Sequence, residues 1–247
     1  MTATGHDGDG TEYSSIDALW EAHEEDLSGW YDKAMEYWSS QDASINGVLG
    51  GFGDLHPIDL AGSQMFLNQV SELRGGLGVL GVDCGAGVGR ITQFLLAKKI
   101  TGPIDIVEPC EKLIKQAQIE LAKTLRPNQI GEFFRMPLQK WDPSASTKTY
   151  DLLWHQWVLL YLTDADCVAY LERCKRSLSG SGVICVKENV ALKGQFLVDK
   201  DDNSVTRTLD QYKALFKAAG LRTVCQLQQP RWPSHLFPVL MWALAPM

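Results

Sequence analysis

The stretch Val82-Asp83-Cys84-Gly85-Ala86-Gly87-Val88-Gly89-Arg90 decides the fold. It closes the apolar run Gly78–Cys84 and opens a helical pattern around Ile91–Ile100. An apolar run that ends in glycines and restarts as a helix reads as the first turn of a β-α-β unit. Glycines at 85, 87 and 89 permit a tight turn and let the backbone approach a ligand without Cβ collisions. In open α/β sheets such ligands bind beyond the carboxyl ends of the strands. The next apolar run, Ile104–Val107, ends in Glu108, 23 residues after Gly85, where a carboxylate can accept two ribose hydroxyls.

The same alternation continues toward the C-terminus. Apolar runs recur at Glu132–Arg135, Leu152–Gln156, Val183–Lys187, Thr223–Leu227 and Val239–Leu244. Helical stretches lie between them around Lys112–Leu125, Asp164–Leu178 and Leu209–Ala219. Thr163-x-x-Asp166 and Thr208-x-x-Gln211 resemble capping boxes, and Gly220 supplies a left-handed stop. Strands alternating with helices predict an α/β fold with a mostly parallel sheet covered on both faces. The last two strands have no helix between them and are expected to pair as an antiparallel hairpin at one edge.

Toward the N-terminus the pattern is helical. Ile16, Leu19, Trp20 and His23 share one face, and Trp30 to Trp38 repeats it. A third helix carries Leu60, Met65, Phe66, Gln69, Val70 and Leu73; the polar, glycine-rich stretch Ser39 to Pro57 precedes it. The organisation expected is a disordered tail at 1–14, a helical cap at 15–76 and a core at 77–247, the cap and core forming one compact domain.

Composition narrows the class. A 45% hydrophobic share with 21% charged residues is that of a globular protein. With 30 acidic against 23 basic residues the net charge is −7, which disfavours a general nucleic-acid binder. Cys84, Cys110, Cys167, Cys174, Cys185 and Cys225 form no CxxC pair and no zinc-type spacing, and most sit in apolar runs. They read as buried thiols of a reducing compartment, and no metal site is expected. The first ten residues lack the charge and apolar stretch of a signal peptide. The longest apolar run, Leu236 to Met247, falls short of the roughly 20 residues that span a bilayer. A cytoplasmic protein is expected, with the nucleus as a second location, monomeric and without membrane or nucleic-acid partners.

Two ligands compete for the glycine turn. A dinucleotide fingerprint is GxGxxG, whereas this chain has GxGxG preceded by Asp83 and followed by Arg90. That variant resembles motif I of the class I S-adenosylmethionine-dependent methyltransferases, and the terminal hairpin resembles their Rossmann-like seven-stranded sheet. Further segments resemble the protein α-N-terminal methyltransferases. They are Tyr37-Trp38, Gly47-Val48-Leu49-Gly50-Gly51-Phe52-Gly53, Leu138-Gln139, Gln156-Trp157-Val158, Arg173-Cys174-Lys175, Lys187-Glu188-Asn189 and Asp202-Asn203-Ser204-Val205-x-Arg207. The resemblance runs from about Trp30 to the C-terminus. It implies methyl transfer from S-adenosylmethionine, leaving S-adenosylhomocysteine, to the free α-amine of proteins that begin Xaa-Pro-Lys or Xaa-Pro-Arg. Dimethylation would end the reaction on proline, and trimethylation on other first residues.

Carried over by motif, Gly85, Gly87, Arg90, Glu108, Pro109, Cys110, Leu138, Gln139 and Gln156 would line the cofactor site. Arg90 would meet the carboxylate of the methionine tail, Glu108 the ribose, and Leu138 and Gln139 the adenine. Trp38, Leu49, Trp157, Asp199, Ser204 and Phe237 would receive the peptide, with Trp38 and Phe237 as flat faces for a proline ring. The carboxylates Asp199, Asp201 and Asp202, read as a loop between a strand and a helix, would receive the third-position cation. Asp202, Asn189 and Tyr161 would act at the amine. Many members place a histidine where this chain has Tyr161, so a histidine relay is in doubt here. Rival readings are a small-molecule methyltransferase with the helices as a lid, a non-catalytic cofactor-dependent regulator, and a dinucleotide oxidoreductase.

Overall fold

The structure is a computed structural model describing residues 3–247. Its N-terminal part comprises β1 (Gly5–Asp7), β2 (Glu12–Tyr13), α1 (Ile16–Ala22), α2 (Leu27–Ser40), α3 (Ile45–Val48) and α4 (His56–Arg74). There follow β3 (Gly81–Cys84), α5 (Arg90–Phe94), β4 (Ile104–Val107), α6 (Glu111–Thr124), β5 (Ile130–Phe134) and β6 (Tyr150–Gln156). The chain continues through α7 (Asp164–Arg176), β7 (Leu178–Asn189), β8 (Phe196–Asp199), β9 (Ser204–Thr206), α8 (Leu209–Ala218), β10 (Leu221–Gln228) and β11 (Val239–Pro246).

Every predicted strand joins one seven-stranded sheet, in the order β10-β11-β7-β6-β3-β4-β5. The strands β3 to β7 are parallel, and β11 runs antiparallel to both its neighbours, which puts the expected hairpin at the edge. Both faces are buried, and alternation along each strand divides the core. On β7, Val183 and Cys185 pack with Trp154 and Met241, whereas Ile184 and Val186 pack with Tyr212 and Trp242. Thr208 and Gln211 form a reciprocal capping box, and Thr163 accepts the N–H of Asp166.

Several expectations need correction. The tail 1–14 is not a featureless segment: among its described residues, β1 and β2 join β8 and β9 in a second sheet of order β2-β1-β8-β9. Met1 and Thr2 lie outside the described residues. Nothing in Gly5-His6-Asp7 signals a strand, because its order comes from a distant partner. Gly5 lies against the Phe196 ring so closely that a Cβ would fall 2.3 Å from it. The acidic loop lies between β8 and β9, in a hairpin, not between a strand and a helix. The stretch Ser39–Pro57 includes α3, capped by Ser44. The run Ile91–Ile100 is helical only to Phe94 before a 3-10 turn at Leu96–Lys98.

On α4 the inward face is more polar than its apolar periodicity suggests. Phe66, Leu67 and Val70 join the sheet's core, while Met65 is 48% and Leu73 66% exposed. Asp59 and Ser63, both fully buried, turn inward with them. The partner is Lys187 on β7, fully buried as well, whose ammonium lies 2.5 Å from Asp59 Oδ1 and donates to Ser63 Oγ (2.8 Å) and Gln229 Oε1 (2.7 Å). Arg90 donates to Asp59 Oδ2 (2.6 Å) and Gln156 Nε2 to Oδ1 (2.8 Å). Burial would raise the Asp59 carboxyl, but Lys187 and then Arg90 hold it below its usual range. Removing one member of a buried ion cluster strands the others. Asp59→Ala is expected to lower the unfolding free energy by about 3–5 kcal/mol in urea denaturation. Lys115→Ala, which breaks the exposed pair with Glu111, should leave the midpoint unchanged. Equal effects would remove the cluster from its structural role.

Candidate active site

The strand order reverses between β3 and β6, with β3–α5–β4 crossing one face of the sheet and β6–α7–β7 the other. A crevice opens at that switch point, beyond the carboxyl ends of the strands. Gly85 (φ +72°) and Gly87 (φ +56°) form its floor, and a Cβ on Gly85 would fall 2.5 Å from Val158 Cγ2. Bare backbone is therefore the only fit. Glu108, just past β4, accepts N–H groups from Gly87 (2.9 Å) and Cys110 (2.8 Å). Burial pushes its carboxyl up to about 7 against the pull of those two donors. Asp83 is committed elsewhere: it accepts the N–H (3.1 Å) and hydroxyl (2.7 Å) of Thr92 and so ties down the first turn of α5.

Arg90 enters the crevice from α5. One terminal nitrogen donates to Asp59 and to His56 Nδ1 (3.2 Å), whose imidazole is held below its usual pKa by burial and then by the Arg90 charge. Burial pushes the Lys187 ammonium down to about 8 despite Asp59. Two cations around one carboxylate leave a positive excess beside the cavity. Gln156 lines it too, and its buried Oε1 has no hydrogen-bond partner among the described residues. Gly85, Gly87, Arg90, Glu108, Pro109, Leu138, Gln139 and Gln156 all line this cavity. Cys110 does not: at the N-cap of α6 its side chain packs with Val88 and Leu113, and only its N–H serves the site, through Glu108.

A second cavity adjoins the first, and Trp38, Val48, Trp157 and Tyr161 line both. Around it stand Leu49, Asn189, Asp199, Asp202, Ser204 and Phe237, all expected from the sequence. Tyr161 donates its hydroxyl to Asp202 Oδ2 (2.9 Å), and Ser204 N–H donates to Oδ1 (3.0 Å). Burial raises the Asp202 carboxyl above its ordinary value. Burial and then the Asp202 charge drive the Tyr161 phenol well above 10, so it stays protonated. Trp157 holds a left-handed backbone (φ 51°) and donates its indole N–H to Asn189 Oδ1 (3.2 Å). Its ring lies 6.0 Å from both the Arg90 guanidinium carbon and the Lys187 ammonium.

Sequence reading missed Asp59, Trp232 and the hairpin residue His6, the last two of which line the second cavity. The one available signal for Asp59 was Lys187, a charge ending an apolar strand that must be buried with a partner. The first cavity joins a carboxylate suited to a diol, apolar walls suited to a planar base, and a guanidinium beside an unpaired carbonyl oxygen suited to a zwitterionic tail. An adenosyl amino acid carries all three features, and the residues present fit it.

The comparisons with known proteins agree with this chemistry. The family model described as AdoMet dependent proline di-methyltransferase matches residues 26–245. An alpha N-terminal protein methyltransferase 1 of Schizosaccharomyces pombe is 40% identical over 224 residues, covering 90% of this chain and 98% of its own. An N-terminal Xaa-Pro-Lys N-methyltransferase 1 of Bos taurus is 37% identical over 224 residues, covering 89% and 97%. A solved SAM-dependent methyltransferase from Leishmania major superposes with a TM-score of 0.90 at 38% identity, covering 99% of this chain and 96% of that one. The chain therefore belongs to the AdoMet-dependent proline di-methyltransferase family, enzymes that use S-adenosylmethionine to methylate protein N-termini.

Proposed function

We propose that the chain methylates the free α-amine of proteins beginning Xaa-Pro-Lys or Xaa-Pro-Arg, ending at dimethyl on proline and trimethyl elsewhere. The observation that carries this reading is the Tyr161–Asp202 pair at the seam between the two cavities. When bound, S-adenosylmethionine supplies an electrophilic methyl group. Glu108 would hold the ribose hydroxyls, Leu138 and Gln139 would receive the adenine, and Arg90 and Gln156 would take the carboxylate and ammonium of the tail.

On the peptide side, Trp38 and Phe237 offer apolar faces to the second-position proline, with Leu49 and Trp157 beside them. Asn189 spends its Oδ1 on Trp157, which leaves its amide N–H groups for a peptide carbonyl. The half-buried Asp202 and the exposed Asp199 give the cavity its negative character, suited to the third-position cation, with Ser204 between them. An α-amine has a pKa of about 7.7–8.0, so roughly a tenth to a third is unprotonated near neutral pH. A mild base suffices. Asp202 fills that role, because burial makes it more basic than a surface aspartate. Tyr161 cannot take the proton; its hydroxyl aims the carboxylate, acting as a positioning group.

Mass spectrometry should show successive methyl additions to Pro-Pro-Lys and Ser-Pro-Lys peptides and none to their N-acetylated forms. Modification of the acetylated controls, or of no peptide, would remove the reading. Asp202→Asn at saturating cofactor should slow single-turnover transfer by about 100-fold or more, and Tyr161→Phe by about tenfold. Near wild-type rates for Asp202→Asn would exclude it as the base. The rate should fall with decreasing pH as both the amine and Asp202 gain protons. The acid limb of Asp202→Asn should be shallower, since only the amine then titrates; identical limbs would count against Asp202.

A further inference from the structure

The small sheet β2-β1-β8-β9 has two faces of different character. Phe196, Val198 and Val205 point inward onto Leu19 and Trp30. The residues between them point to the second cavity. Register pairs His6 with Leu197 and Leu197 with Thr206, and in the adjoining row Asp199 with Ser204. All five line that cavity. In-register neighbours in a sheet share a face, so the cavity wall is three strands wide, and its outermost strand is β1.

The hairpin carrying β1 is firmly held. Phe196 N–H donates to Thr4 O (3.0 Å), and Asp7 Oδ1 accepts from Asp9 N (3.0 Å) and Thr11 N (2.8 Å). Lys200, in the same loop as Asp202, lies 2.5 Å from Asp9 Oδ2 and 3.6 Å from Asp7 Oδ2. The acceptor amine belongs beside Asp202, in the loop that leads into β9. From β9 to β1 is two strand spacings, about 10 Å, which an extended peptide covers in about three residues.

We propose that the β1–β2 hairpin forms a subsite for the fourth and fifth residues of the peptide substrate, with His6 as the side chain that meets them. The inference rests on the peptide reading above and extends it: the enzyme recognises a longer extended segment than the first three residues. The three-strand wall gives length dependence, and the side chain at position 6 gives a preference among charges.

The test compares kcat/KM for a three-residue Ser-Pro-Lys peptide with nine-residue peptides sharing that start and carrying either Lys or Glu at positions four and five. Wild-type enzyme should favour the longer peptides, and His6→Ala should reduce the nine-to-three ratio severalfold. His6→Glu should shift preference toward the Lys peptide and His6→Lys toward the Glu peptide, each by about threefold to fivefold. A purely structural role for the hairpin would not make the two charge variants move in opposite directions. Equal kcat/KM for short and long peptides in the wild type, or a common shift in both charge variants, overturns the subsite and leaves the peptide reading standing. Absence of transfer to every Xaa-Pro-Lys peptide overturns both.

Discussion

One buried carboxylate holds the molecule in working order. Asp59 lies between Lys187 and Arg90, and Gln156 completes its ring of donors. These four side chains come from α4, β7, the first turn of α5 and the end of β6. Burying three charges carries a large desolvation cost, and their attraction offsets it only while all are present. The cluster therefore couples the packing of the N-terminal helices to the shape of the crevice. Within the cluster itself two cations face one anion, and Arg90 carries its charge to the wall of the first cavity.

Two buried ionisable side chains, Glu188 and Arg207, govern the segment after β6. Glu188 Oε1 accepts the N–H groups of Val158 (2.9 Å) and Leu159 (2.8 Å). Arg207, fully buried, donates to the carbonyls of Leu159 (3.2 Å) and Leu162 (2.6 Å) while paired with Asp164. A carboxyl group that burial pushes up to about 8 takes the donors of this turn and a cation takes its acceptors, so its backbone has little freedom. Trp157, in the left-handed region at the start of the turn, is a conformation that surrounding structure must impose. Tyr161 at its far end thereby meets Asp202, which comes from the small sheet. The seam between the cavities is thus assembled from two sheets, and the hydrogen bond that joins them is also the proposed proton-handling pair.

Much of this was legible in the residues. The glycine turn, the acid at 108 and the strand-helix alternation defined the large sheet, because each reports on local backbone geometry or on burial with a period. The motif positions for cofactor and peptide also fall around the two cavities, Cys110 and the exposed Asp201 excepted. The small sheet was not legible: Gly5-His6-Asp7 has no apolar alternation, and its partner strand lies some 190 residues away. Asp59 was hard to read for another reason: helical spacing aligns it with Phe66 and Val70, but its charge alone would leave it in water.

The sequence by itself determined the elements, their order in the chain and the chemistry available, since turn residues, caps and hydrophobic period act over a few neighbours. Only the tertiary structure decided which charges are buried together, which strand completes the wall of the second cavity and how far each ionisable group departs from its ordinary pKa. Those outcomes depend on desolvation and on contacts between residues far apart in the chain, and no local pattern encodes a distant partner.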